Sequence, residues 1–435
     1  MKFTSTRNQN TSATFSSAIL NCMPEDGGLY VPCNTEDLRR WILYTDEKTK
    51  FSSIAGSLTS AFINDEFSPI ICETIATKAF PFSPEIRQLD ENLYILELFH
   101  TPTGIHRDFG ISFLTSCIET ILTLAGGSSV FLDVSSGELG ASLAHFLRGK
   151  KHLKAVIVYP KGKIRGLKES DFIWNGGNVL PVEIDGSEQD CHQLVRSVFA
   201  DRAFIQQNHI TVANTANIGR LLPQAFFYPY AFSRIKSKVS GSIEYALAPG
   251  NYSNLVAGLY AWQFALPLNG FVIPATQDIS TDAHGEPVLL DSVVPLDKRY
   301  NADPSEPSNI ERLENVFKAN SMMMRHFIYP QPIEKYDVDK AAKELFTKYG
   351  LYADRHTARA YAAIQSRQKS GDTDGVTTVL IARDSPSLSE DFIQHTLGEI
   401  PQMPESIKES FNPVELSRPL IKSPEDLKKL FEELK

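Results

Sequence analysis

Thr101-Pro102-Thr103-Gly104-Ile105-His106-Arg107-Asp108-Phe109 joins a short apolar run, Leu93 to Leu98, to a helical stretch, Asp108 to Leu124. A strand that ends in a Pro/Gly turn and passes straight into a helix is half of a βαβ unit. Such turns lie at the carboxyl ends of parallel strands, where open α/β sheets bind their ligands. Arg107 stands immediately ahead of the helix, and a guanidinium side chain is a permanent cation.

Outward from this turn the same alternation repeats. Strands are expected at Tyr94–Leu98, Val130–Val134, Ala155–Tyr159, Val179–Ile184, Tyr245–Ala248, Gly270–Pro274 and Thr377–Ile381. Most are continuous apolar runs, as parallel strands buried on both faces require. Helical stretches fall between them, at Gly137–Leu147, Glu188–Phe199 and Asn254–Phe264. The pattern predicts an α/β fold with parallel sheets. Residues 1–90 lack the alternation and read as an N-terminal extension, leaving 91–235 and 236–435 as two α/β subdomains. Segment 283–308, rich in Pro, Asp and Ser, reads as a long surface connection. Ser423 and Pro424 open a C-terminal helix as N-cap and first residue. Met322-Met323-Met324 reads as core packing.

Three glycine-containing turns each follow a strand and open a helix: Ser135 to Gly140, Pro160 to Ile164 and Pro249 to Asn254. Glycine lets backbone N–H groups approach an anion, and the helix N-terminus adds a favourable dipole. One such turn is weak evidence; three in one fold point to a small anionic ligand.

Composition sets the limits. The chain has 435 residues, 42% hydrophobic and 22% charged, with a net charge of −9. That acidic balance argues against a nucleic-acid or anionic-membrane surface. Five scattered cysteines without CxxC spacing suit a reducing compartment, and no signal-type N-terminus or 18-residue apolar window is seen, so a cytoplasmic protein is expected. HExxH, Walker-type and GxGxxG patterns are absent, and no metal-ligand cluster stands out.

The wording and order of the motifs resemble the threonine synthase family. Asp26-Gly27-Gly28-Leu29-Tyr30-Val31-Pro32 is similar to that family's Gly-Gly-Leu-Phe/Tyr-x-Pro, and Ser136-Gly137-Glu138-Leu139-Gly140 to its Ser-Gly-Asp-Thr-Gly. Tyr159 to Ile164, Gly176 to Val179, Asn214 to Gln224, the Pro249–Asn254 turn, Pro307 to Leu313 and Asp354 to Ala358 follow in collinear order. The resemblance implies a fold type II (tryptophan synthase β-like) pyridoxal-phosphate enzyme: two open α/β subdomains with the cofactor between them, behind an N-terminal extension. The family reaction converts O-phosphohomoserine and water into threonine and phosphate, with the cofactor as electron sink. By resemblance, Gly250, Asn251, Tyr252, Ser253 and Asn254 hold the cofactor, and Ser136, Gly137, Glu138, Lys161, Lys163, Asn214, Asn217 and Arg220 face a phosphorylated amino-acid substrate. No metal is implied, and the chain is expected to be a monomer or homodimer.

The chain departs from that wording where the chemistry lies. The family's turn reads Gly-Pro-Thr-x-x-Phe-Lys-Asp, and its lysine carries the cofactor as an imine; here His106 and Arg107 replace Phe and Lys. Arginine does not form that imine, and residues 79–149 contain no lysine to stand in. Glu138 and Leu139 replace Asp and Thr, and Ser253 replaces Gly, at a strain of about 1 kcal/mol if that position needs positive φ. Ala382-Arg383-Asp384-Ser385-Pro386 stands where the family has Thr-Ala-His-Pro, whose Thr faces the pyridine nitrogen. The favoured expectation is a threonine-synthase-like pseudoenzyme without covalently attached cofactor, non-covalent binding being left open. The alternative is an active threonine synthase, or a related phospho-amino-acid lyase, with another group in the lysine's place.

Overall fold

The protein's structure, a computed structural model, describes residues 2–434 apart from 34, 64, 283–286, 290–293, 319–320, 372, 411 and 417. Its strands in chain order are β1 Phe3–Ser5, β2 Tyr30–Pro32, β3 Glu85–Asp90, β4 Leu93–Glu97, β5 Ser129–Val134, β6 Leu153–Pro160, β7 Val179–Ile184, β8 Ile210–Thr211, β9 Ser242–Ala246, β10 Gly270–Pro274, β11 Ile279–Thr281, β12 Pro287–Leu289, β13 Ile328–Gln331 and β14 Val376–Ala382. Two sheets dominate. A six-stranded sheet has the order β13-β10-β9-β14-β4-β3, and a four-stranded one the order β7-β6-β5-β8. Every pairing in both is parallel except the β3–β4 hairpin.

Successive side chains on a strand face opposite ways, and here both faces are covered. In β4, Leu93 and Ile95 pack into one apolar cluster while Tyr94 and Leu96 pack into another. In β6, Val156 and Val158 face a cluster shared with the helix Glu188–Ala200, and Ala155, Ile157 and Tyr159 face the main core. That double burial explains the unbroken apolar runs.

The sheets do not follow the chain order expected from the sequence. β3 and β4 belong to the larger sheet, whose other strands lie beyond residue 240. The C-terminal helix Pro424–Leu430 packs Leu427 against the smaller sheet, and Ile421 bridges to Ile184 of β7. Boundaries at 90/91 and 235/236 therefore divide the chain and not the sheets. Segment 283–308, partly outside the described residues, is also more than a surface connection: β12 pairs with β11, and Ser305 and Pro307 reach the cavity described below. Of the methionine run, Met324 alone is buried, with Met322 and Met323 exposed.

The opening turn leads from β4 into the helix Arg107–Ala125. By length and composition this helix could cross a membrane, but 72% of its apolar window is buried. Phe109, Phe113 and Leu114 join it to the main core, where Phe109 meets Phe51, Phe82 and Phe227 edge-on. Its apolar character is that of a central packing helix.

Candidate active site

A cavity of about 390 Å³ opens at the carboxyl end of β5. Val134 to Leu139, Asn214, Thr215 and Arg220 line it from the smaller sheet; Asn251, Ser305 and Pro307 close it from the other side, with Arg107 at the start of its helix. Seven of the expected residues thus converge: Arg107, Ser136, Gly137, Glu138, Asn214, Arg220 and Asn251. Among the described residues no lysine lines this cavity.

The Ser135–Gly140 turn is held from within. Ser135 Oγ accepts from the backbone N–H groups of Gly137 and Gly140 at 3.2 and 2.8 Å. That bonding delivers Glu138 to the first turn of the helix Glu138–Leu147, where the dipole favours its charge. Arg107 Nη1 meets Glu138 Oε2 at 3.1 Å, with the two side chains 38% and 40% exposed. At that exposure the pair contributes at most about 1 kcal/mol.

Behind Arg107, His106 is buried and its Nδ1 lies 2.8 Å from Asp384 Oδ1. The backbone fixes this contact: Ile105 bridges to Asp384, His106 N–H donates to Arg383 O at 3.0 Å, and Ser385 N–H donates to Gly104 O at 2.7 Å. Burial, followed by the charge of Arg383, pushes the His106 imidazole down to about 3. Burial alone would raise the Asp384 carboxyl, but His106, Arg383 and Arg107 together hold it well below the carboxylate range. The ring is therefore neutral, donating Nδ1–H to an ionised Asp384. Asp108 is also buried; it accepts from Thr103 N–H at 2.8 Å, Thr103 Oγ1 at 2.6 Å and Ser142 Oγ at 2.6 Å.

Arg220 is 3% exposed, and its Nε and Nη1 have no hydrogen-bond partner among the described residues. Burial, then the charges of Arg107 and Arg383, lower its guanidinium to about 9 against the opposing pull of Asp108 and Asp133. Asp133 is itself buried in β5, accepting from Ala213 N–H at 2.7 Å and Asn214 Nδ2 at 3.0 Å. Burial chiefly raises its carboxyl to about 7.

The Pro249–Asn254 turn connects β9 to the helix Ser253–Gln263. Its left-handed positions are Gly250 at φ 53° and Tyr252 at φ 66°. Ser253 lies outside that region, so the backbone strain expected at serine falls on Tyr252. The Tyr252 hydroxyl is anchored to Thr276 at 2.7 Å and Asp278 at 2.8 Å. Asn254 Nδ2 donates to Ala248 O at 3.3 Å. Asn251 Nδ2 donates to Thr215 Oγ1 at 2.9 Å and Pro307 O at 3.1 Å. Of the five expected cofactor residues, only Asn251 lines the cavity.

Three other expected residues lie elsewhere. Lys161 and Lys163 are exposed and outside the lining. Asn217 is fully buried, with its Nδ2 donating to Ile19 O at 2.7 Å and its Oδ1 capping Gly219 N–H at 3.0 Å. Its amide is committed to the fold and has nothing left for a ligand. Conversely, His192 and Ser305 line the cavity without any sequence signal that singled them out, and Thr215 does so from inside the Asn214–Gln224 motif. Asp133 did carry one, as a lone acid inside an apolar strand run. Glu85, Glu97 and His100 bring ligand atoms within 4.8 Å of one another on and beside the β3–β4 hairpin, a cluster not visible in the sequence. Arg87 donates to Glu97 there, and none of the three lines the cavity.

A family model described as "Threonine synthase N terminus" matches residues 2–80, and one described as "Pyridoxal-phosphate dependent enzyme" matches residues 71–384. The chain belongs to the pyridoxal-phosphate-dependent enzyme family. Its relatives within that family include threonine synthases. The one from Escherichia coli (strain K12) is 28% identical over 416 residues, covering 94% of each chain. The one from Buchnera aphidicola subsp. Schizaphis graminum is 28% identical over 414 residues, covering 95% of each. The crystal structure of threonine synthase from Escherichia coli matches with a TM-score of 0.80 at 26% identity, covering 100% of both chains. The pyridoxal-phosphate-bound threonine synthase from Brucella melitensis matches in fold, with a TM-score of 0.81 at 21% identity, covering 99% of this chain and 98% of that one. The fold expected from the motifs is therefore the fold found, and the threonine synthase family is the correct one.

Proposed function

We propose that this threonine-synthase-family chain binds an anionic ligand without imine-based catalysis, the ligand being a phosphorylated amino acid or pyridoxal phosphate held non-covalently. One observation carries the reading: at the cavity, where the family's turn has its lysine, Arg107 is ion-paired to Glu138 at 3.1 Å. Imine formation and proton shuttling need an amine that can lose its proton, which a guanidinium does not provide.

Part of the cofactor fits these residues and part does not. Gln224 is 1% exposed, its Nε2 has no partner among the described residues, and its Oε1 accepts from Ser253 Oγ at the start of the helix Ser253–Gln263. An unpaired buried donor beside a helix N-terminus suits a phosphate group. The covalent anchor has no counterpart among the described residues, because none of the lysines among them lines the cavity. When bound, pyridoxal phosphate supplies an electron sink for carbanions. The chain's own part is to orient the anion: Ser135 rigidifies the Ser136–Glu138 loop, and Asn251 ties Thr215 to the 307 segment.

Purified protein is mixed with pyridoxal phosphate, treated with borohydride and examined by mass spectrometry. No reduced adduct on a lysine is expected for the wild type, and Arg107→Lys is expected to gain one at position 107. A wild-type adduct on any lysine, or turnover of O-phosphohomoserine, would return the chain to the active synthases.

A further inference from the structure

Away from the cavity, the β3–β4 hairpin gathers a second set of chemistry-bearing side chains. Glu85 and Glu97 stand directly opposite each other in its antiparallel register. Like charges at that spacing destabilise a hairpin unless a cation stands between them. Edge strands use charge to deter pairing with other chains, and exposed Glu85, Arg87 and Asp90 of β3 suit that purpose. Glu97 does not. It is 4% exposed, on a strand that pairs with β14 along its other side, and a buried carboxylate needs specific partners.

The two oxygens of Glu97 have different partners. Arg87 donates to Oε1, and His100 Nε2 lies 2.7 Å from Oε2. The same His100 Nε2 lies 3.6 Å from Glu85 Oε2. One imidazole nitrogen and two carboxylate oxygens therefore converge, all within 4.8 Å of one another.

We propose that Glu85, Glu97 and His100 form a binding site for a divalent transition metal, zinc being the best match to this mixed nitrogen and oxygen set. Donors about 2.0–2.2 Å from a tetrahedral zinc stand roughly 3.3 Å from one another. His100 Nε2 has only to open slightly from Glu97 and close slightly on Glu85. The Glu85 side chain, 59% exposed, has room for that movement, while Glu97 is fixed by the sheet. The ion takes the place of the hydrogen between His100 and Glu97. Water completes the fourth position on the open side, where the His100 side chain is 36% exposed. Arg87 is the outer partner: by occupying Oε1 it keeps Oε2 turned toward the metal.

The location gives such an ion a role. His100 immediately precedes the Thr101–Phe109 turn, and Leu98 N–H donates to Ala382 O at 2.8 Å just before it. Zinc ties the edge strand β3 to the start of that turn and stiffens the backbone leading to Arg107. None of the three ligands lines the cavity, so the ion acts through the fold and not on a bound ligand.

Full-length protein is stripped of metal with a chelator, dialysed and titrated calorimetrically with zinc, with thermal melting in parallel. One zinc per chain is expected at micromolar concentration or below, together with a rise in melting temperature. Glu85→Gln and His100→Ala change partly exposed side chains, and each is expected to fold and to weaken binding roughly tenfold or more. Glu97→Gln is expected to abolish binding; if it fails to fold, the other two variants decide. Cobalt(II) in place of zinc is expected to show the visible ligand-field bands of a four-coordinate site, and to lose them in His100→Ala. No wild-type binding at micromolar zinc, or unchanged affinity in either Glu85→Gln or His100→Ala, overturns the site and leaves the three residues as an ion-pair cluster.

Discussion

At the residue scale, His106 and Asp384 change the meaning of Arg107. Read along the chain, Arg107 is the most conspicuous departure in one family motif, beside His106. The Asp384 contact lies 278 residues away in sequence, and no periodicity or turn chemistry announces such a pair. Its energetics lead to a prediction. His106 titrates near 3 in the folded chain because of burial and then Arg383, but near 6.5 when unfolded. Above about 6.5 both states are neutral and the histidine's contribution is fully present. As pH falls toward 3 the unfolded chain takes up a proton that the folded one refuses, so stability drops by about 1 kcal/mol between pH 6 and 5. Asp133, near 7, and Asp354, near 6, act in the opposite sense, because burial makes the folded chain hold their protons more tightly. The informative quantity is therefore the difference between wild type and His106→Asn, which keeps an N–H for Asp384 but does not titrate. Denaturant midpoints from pH 7 to 4 should fall less steeply in the variant; parallel curves would mean that His106 is not buried in its neutral form.

At the scale of elements, the strands were legible because burial on both faces writes an unbroken apolar run, as in Val179–Ile184, where expected and observed limits coincide. The helix after the opening turn was legible too, but what holds its start was not. Asp108 occupies the first turn, where an acid reads as a complement to the helix dipole. In the fold it is a buried staple, tying Thr103 of the turn and Ser142 of the helix Glu138–Leu147 to the start of Arg107–Ala125. Asp108→Ala would leave a backbone N–H and two hydroxyls without their acceptor. Each buried unsatisfied group costs about 1–3 kcal/mol, so a loss of roughly 3 kcal/mol or more is expected from urea unfolding. Ser142→Ala removes one bond and should cost about 1 kcal/mol. If Asp108→Ala proved as mild as Ser142→Ala, the staple would be decorative, and the placement of Arg107 beside Glu138 would need another cause.

At the scale of the whole molecule, the sequence identified two sheets' worth of strands but not their allotment. Whether Leu93–Glu97 pairs forward with β5 or with β14, nearly three hundred residues on, depends on packing between distant segments, which local pattern does not record. The Pro307–Leu313 motif illustrates the same limit. It reads as a family marker, yet its Arg312 is fully buried and outside the cavity lining. Its Nε donates to Tyr30 O at 3.0 Å, its Nη2 to Ala216 O at 2.9 Å, and its Nη1 to Thr215 O and to Asn309 Oδ1 at 2.6 Å. One side chain thereby joins the N-terminal extension, the segment leading to Arg220 and the helix Ile310–Phe317. Arg312→Met fills most of the volume but strands three backbone carbonyls and the Asn309 amide oxygen. The expected loss is at least about 3 kcal/mol in denaturant midpoint. Because Thr215 also lines the cavity, pyridoxal-phosphate affinity should weaken in the same variant even where it remains folded. A variant that lost stability but bound pyridoxal phosphate as wild type does would separate the clasp from the cleft, and Arg312 would then belong to the scaffold alone.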